Sequence, residues 1–174
     1  MGALEFFRPS LKTLHGSLMD AVKDLTDEQL HFRPLGKGNP IAFTFWHAVR
    51  NEDLVMNLLL QKKPPVWNAE GWDKKFGMDP RAQGTGMSAE QAAALRIPNL
   101  ADFLNYSDKV FKASEAYLET LKETELDRVE EFKILGKRSF GSVIGGVVLT
   151  HGSGHLGEIW YVKGLLGLKG SPIE

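Results

Sequence analysis

Apolar residues recur at steps of three and four along several stretches of this chain, the period of helices that bury one face. Leu4, Phe7, Leu11, Leu14, Leu18, Ala21 or Val22, and Leu25 form the first such stripe, interrupted near its start by Pro9. Thr26 followed by Asp27, Glu28 and Gln29 reads as a capped single turn, and Pro34 to Gly38 as a loop. Asn39 before Pro40 is a start signal, so a second helix is expected from about Pro40 to Gln61, ending before Pro64 and Pro65. Its inward stripe is Phe43 or Thr44, His47, Asn51, Leu54 or Val55, and Leu58.

The stretch from Lys62 to Met87 is irregular and mixes Pro and Gly with Trp67 and Trp72. It is too aromatic for a plain linker and reads as a long ordered loop packed on the bundle, of a kind that is often functional. Ser88 with Gln91 makes a capping box for a short helix that stops at Pro98. Asn99 caps a third long helix whose stripe runs Leu100, Phe103 or Leu104, Ser107, Val110 or Phe111, Ser114, Tyr117 or Leu118, and Leu121. Residues 124–138 connect to the last helix, with a short extended piece expected around Glu131 to Leu135. Ser139 is the expected cap of a fourth helix through about Leu166, with Gly167 as its stop. That helix holds Gly141, Gly145, Gly146, Gly152, Gly154, Gly157 and Gly164. Such a run implies either close helix–helix packing or a later helix start. The expectation is an all-α four-helix bundle, residues 1–174 as one domain, with a long loop and short helix between the second and third helices.

Composition narrows the function. Hydrophobic residues at 43% and charged residues at 25% are an ordinary globular balance. A formal net charge of -1, with basic residues only in short pairs such as Lys62 with Lys63, argues against a nucleic-acid partner. No apolar run approaches the roughly 20 residues of a membrane span, and Met1 to Arg8 lacks a signal-peptide pattern. A cytoplasmic location is the default expectation. The chain has no cysteine, so histidine and carboxylate must carry any metal chemistry.

His151 and His155 stand one helical turn apart, on a face extended by Ile144, Val148, Glu158 or Ile159, Val162 and Leu166. His47 lies on the inward stripe of the second helix. Imidazoles aimed into a bundle interior need partners, and one divalent ion satisfies three at once. The alternative is three core histidines hydrogen-bonded to carbonyls or carboxylates. Gly152 replaces the glutamate of a H-E-x-x-H motif, which removes metalloprotease chemistry, and the inward carboxylates of a di-iron bundle are missing.

Leu25-Thr26-Asp27-Glu28-Gln29-Leu30 with Pro34, then Trp46-His47, then His151 through Ile159, followed by Gly164-Leu165-Leu166-Gly167-Leu168, resemble the DinB/YfiT-like superfamily of small bacterial four-helix-bundle proteins. The resemblance runs nearly the length of the chain. It implies metal ligation by His47, His151 and His155, and often a homodimer. It also implies kinship with metal-dependent S-transferases that use low-molecular-weight thiols, and with a thiol-dependent isomerase. The family usually carries Gln where this chain has Glu158, so a carboxylate there is a candidate ligand, base or support for a ligand.

Three neutral histidines leave open positions on an ion, which points to a transferase of the thiol S-transferase type or a hydrolase acting on a small molecule. The other reading is a non-enzymatic metal-containing binding or stress-response protein. Zinc and nickel suit imidazole, and iron is a further candidate. Any thiolate must arrive as a cosubstrate. Asn51 and Glu158 are the candidate catalytic residues, Asn51 for orienting a water or substrate. Trp46, Trp67, Trp72 and Trp160 are either packing residues or walls of the approach. His15, off the stripe of the first helix, and His31, beside a loop, read as surface or hydrogen-bonding residues. Metal binding should weaken as pH falls through about 6, where an unperturbed imidazole protonates.

Overall fold

The apolar stripes become four long helices in the computed structural model, which describes residues 2–171. Helix α1 spans Ala3–Val22 and carries Pro9 within it. So near the N-terminus, the proline forfeits only one backbone bond. Helix α2 spans Ile41–Asp53 and continues through Leu54–Leu60 as a π-helix, whose wider turns pair each N–H with the carbonyl five residues back. It starts one residue later than expected, because Pro40 is the cap and has extended backbone. Helix α3 spans Leu100–Thr120, and the Asn99 side chain accepts the Asp102 N–H as its cap.

Helix α4 is one continuous run: Phe140–Ser142, a π-helix Val143–Thr150, then the α-helix His151–Leu165. Ser139 caps it as expected, and Gly167 follows with φ +72°. Between α3 and α4 the chain forms a hairpin rather than one extended piece. Strand β1 (Val129–Phe132) pairs antiparallel with β2 (Gly136–Ser139), setting Glu130 opposite Arg138 and Glu131 opposite Lys137. Opposite charges thus face each other across a register that apolar periodicity does not mark, while the Glu130 carboxylate itself pairs with Lys62 and Arg128.

Helices α1 and α2 each pack against both α3 and α4. The face of α2 that a bare bundle would leave to water is covered by the insertion, residues 62–87. That is why Ile41 through Arg50 are all buried, the pattern of a helix enclosed on every side. Within the insertion lie the short helices Val66–Ala69 and Trp72–Phe76. Trp67 stacks on Phe76 (5.7 Å between centroids, 4° apart) and meets Tyr106 of α3 edge-on at 5.1 Å. Trp46, Trp67 and Trp72 are thus core residues.

One glycine sets the placement of α4. A Cβ on Gly152 would lie 2.8 Å from Leu14 Cδ2, so its absence lets α1 and α4 approach closely. This contact turns Gly152, Leu156, Ile159 and Val162 inward. His151 and His155 therefore stand at the edge of the buried stripe, half-buried, rather than at its centre as the spacing suggested.

His15 is not a surface residue. It is 3% exposed, stacked on Phe111 at 4.0 Å, with Nε2 2.9 Å from Glu52 Oε1 and Nδ1 2.7 Å from Glu115 Oε1. It thereby ties α1 to α2 and α3. His31 joins its own turn to a distant segment, donating from Nδ1 to the Asp27 carbonyl at 2.9 Å and accepting the Ile97 N–H on Nε2 at 3.1 Å. Burial pushes the His15 imidazole down, but Glu52 and Glu115 outweigh it and hold the group above its ordinary value of 6.5. A raised folded-state value gives stability that is complete below about 6.5 and is lost as pH rises through the folded value. Melting temperature followed from pH 6 upward should fall in the parent, and a His15→Gln variant should lose that part of the slope.

Candidate metal centre

His47 descends from the middle of α2 and meets the first two turns of the α-helical part of α4. Its ring centroid lies 5.2 Å from that of His151 and 5.0 Å from that of His155, both edge-on. One ligand atom from each of the three comes within 4.8 Å of the other two. Phe43, one turn earlier on α2, lies parallel to the His47 ring at 5.8 Å and backs it.

Hydrogen bonds behind the rings decide which nitrogens face the centre. The Nδ1–H of His47 donates to the Gln83 carbonyl, since a carbonyl can only accept. The Nδ1–H of His155 donates to Glu158 Oε2 at 2.8 Å. In both rings Nε2 is left as the acceptor, the arrangement of metal-bound imidazoles whose other nitrogen is anchored by carbonyl or carboxylate. His155 Nε2 and His151 Nε2 lie 3.0 Å apart. Two ring nitrogens that close need a proton or a cation between them. On one tetrahedral ion bound at about 2.0–2.1 Å they would stand about 3.4 Å apart, so the donor set fits such an ion with a small adjustment.

The charges agree with this picture. Burial lowers His47, and the neighbouring His155 lowers it further. Burial, then His155 and His47, push His151 down to about 4. The hydrogen bond from His155 holds the Glu158 carboxyl below its ordinary value. His47 and His151 are thus both biased towards the neutral form that ligation needs, with one carboxylate beside the cluster. The limit near pH 6 expected of an unperturbed imidazole does not apply to His151.

Glu158 stands on the outer side of His155, 58% exposed at its side chain, and is not among the converging ligand atoms. Asn51 lies one turn after His47, and its Oδ1 is shielded from water with no hydrogen-bond partner. Trp160 is half-buried and lines a surface groove of about 530 Å³ with Phe6 and Leu156.

Sequence reasoning missed the support that the insertion gives His47. Besides the Gln83 carbonyl, Gly84 passes the ring so closely that a Cβ there would lie 2.6 Å from His47 Nδ1, with φ at +97°. Only glycine meets both conditions without strain. Arg50 and Asp53 were also passed over, although two charges three residues apart on a helix buried all round are a signal. Asp53 is fully buried, with Oδ1 accepting from the N–H of Val66 and from Asn57, and Oδ2 accepting from the Trp67 N–H and the Tyr106 hydroxyl. Arg50 Nη1 reaches Asp53 Oδ2 at 3.3 Å, its Nε donates to the Ala82 carbonyl at 3.1 Å, and its guanidinium lies 4.6 Å over Trp67.

Among known proteins, the profile of the DinB superfamily matches residues 11–159. A crystal structure described as that of a conserved protein of locus from Enterococcus faecalis shares the fold, with a TM-score of 0.81 at 19% identity over 96% of this chain and 99% of that one. No curated protein matches the chain.

A histidine whose folded-state value is lowered works in the opposite direction to His15. The unfolded chain takes up its proton first, so stability is lost as pH falls from about 6.5 towards about 4. In the metal-free protein, NMR titration should find His151 neutral at pH 5.5 with a midpoint near 4, and His151→Asn should flatten the acid limb of the stability profile.

Proposed function

The chain belongs to the DinB superfamily, and on that footing we propose that it holds one divalent metal ion on the Nε2 atoms of His47, His151 and His155 and acts with it on a small molecule. The observation that carries the reading is the convergence of three imidazoles, one ring nitrogen of each within 4.8 Å of the others, with Nδ1 of His47 and of His155 engaged from behind. Zinc or nickel suits such a donor set, with iron as a further candidate. A bound ion of this kind polarises a substrate and brings a bound water or thiol towards ionisation near neutral pH.

The protein's own groups supply the rest. Gln83 and Glu158 hold two ligands in the orientation and tautomer that ligation requires. Three histidines do not fill a coordination sphere, and the half-burial of His151 and His155 leaves the centre approachable from solvent. That favours an enzyme, of the thiol S-transferase or hydrolase type, over a closed structural centre. Asn51, with a free acceptor one turn from His47, is the candidate for orienting a bound water or substrate. Glu158 serves as the anchor of His155 in this reading. With no cysteine in the chain, the thiol of a transferase reaction comes from a second substrate.

Elemental analysis of the tag-free protein beside a His151→Ala/His155→Ala variant tests the centre. About one equivalent of metal is expected in the parent and none in the variant. No metal in the parent, even after reconstitution with zinc or nickel, would sink the reading. Given metal, the visible spectrum of the cobalt-substituted protein should change on adding a low-molecular-weight thiol. An unchanged spectrum would turn the assignment towards hydrolysis. Unfolding on chelation, with no exchangeable water, would turn it towards a structural centre.

A further inference from the structure

Arg50 and Asp53 follow His47 on α2 and are buried, and the hydrogen bonds they make go to Ala82, Tyr106, Asn57, Val66, Trp67 and each other rather than to the histidines. What they hold is the insertion, at both ends. Asp53 takes the N–H groups of Val66 and Trp67, where the insertion begins, and Arg50 Nε takes the Ala82 carbonyl, where it returns. The next carbonyl after Ala82 is that of Gln83, the acceptor of the His47 Nδ1–H. The residue after that is Gly84, pressed on the same ring.

A neutral imidazole released from its acceptor can carry its proton on either nitrogen, and a proton on Nε2 blocks ligation there. We infer that Arg50 is a positioning residue for the metal centre: by holding the Ala82 carbonyl it sets the Gln83 carbonyl on His47 Nδ1, and so keeps Nε2 free for the ion. This rests on the proposed metal-binding reading of the three histidines. Asp53 acts one step further back, orienting Arg50 through Nη1 and fixing the other end of the insertion. The buried ion pair is then a support for a ligand on the far side of a loop, in addition to a part of the core.

Two variants separate this role from a merely structural one. Arg50→Lys keeps a cation facing Asp53 but loses the planar Nε donor to Ala82. Gly84→Ala leaves the ion pair alone and drives a methyl group against His47 Nδ1. Nitrogen NMR of the metal-free proteins reads the His47 tautomer, and competition with a chromophoric chelator reads affinity for zinc alone. The parent should show His47 protonated on Nδ1. Both variants should populate the Nε2–H form and bind zinc about 10–100-fold more weakly, while still melting cooperatively. A lower melting temperature with the His47 tautomer and zinc affinity unchanged would overturn the inference. If Arg50→Lys does not fold, Gly84→Ala carries both readouts. If the parent takes up no zinc, the metal reading falls, and the tautomer alone decides whether Arg50 and Gly84 position His47.

Discussion

A carboxylate taken out of water must have its lone pairs met by donors, or the burial costs several kcal/mol. Asp53 has no exposure, and its partners come from α2, from the start of the insertion and from Tyr106 of α3. The placement of the insertion follows from satisfying this one charge together with Arg50. Once the insertion is fixed, residues 41–50 of α2 are closed off from solvent, the aromatic layer of Trp67, Phe76 and Tyr106 is set, and the Gln83 carbonyl arrives at His47. The candidate metal centre thus rests on the core's polar interior as much as on its apolar packing.

The histidine cluster also shows how two supports of different chemistry can serve one candidate site. His155 is anchored within its own helix, by Glu158 three residues on, at a partly exposed site. His47 is anchored by a main-chain carbonyl from another segment, in a nearly closed environment. A side-chain anchor can be altered by substitution at a single residue. A main-chain anchor can be altered only through whatever positions the segment. His151 has neither kind of anchor, and burial with two like neighbours makes it the least basic of the cluster's shifted imidazoles.

Much of this was legible in the chain. The caps at Thr26, Ser88, Asn99 and Ser139 are where the residue chemistry puts them, and the four stripes give four helices. The three histidines meet, because spacing along a helix and position on an inward face are local properties. What could not be read there depends on partners distant in sequence. His15 is off the stripe of α1, and only the arrival of Glu52 and Glu115 makes its burial tolerable. The inward turn of α4 depends on where Leu14 meets Gly152, which periodicity within one helix cannot specify. The hairpin was obscured because its strands are charged and pair across a turn, leaving only Phe132 buried. The support of His47 is a carbonyl, which every residue possesses and no side chain announces.

The way the insertion is fastened also bears on the order in which the chain can fold. Asp53 meets Trp67 across 14 residues and Arg50 meets Ala82 across 32, whereas His15 meets Glu115 across 100. Closing a loop of 14 residues in place of 100 saves about 2 kcal/mol of chain entropy, since the cost grows with the logarithm of length. Helix α2 and its insertion are therefore joined by contacts local enough to gather before α1 and α3 are brought together.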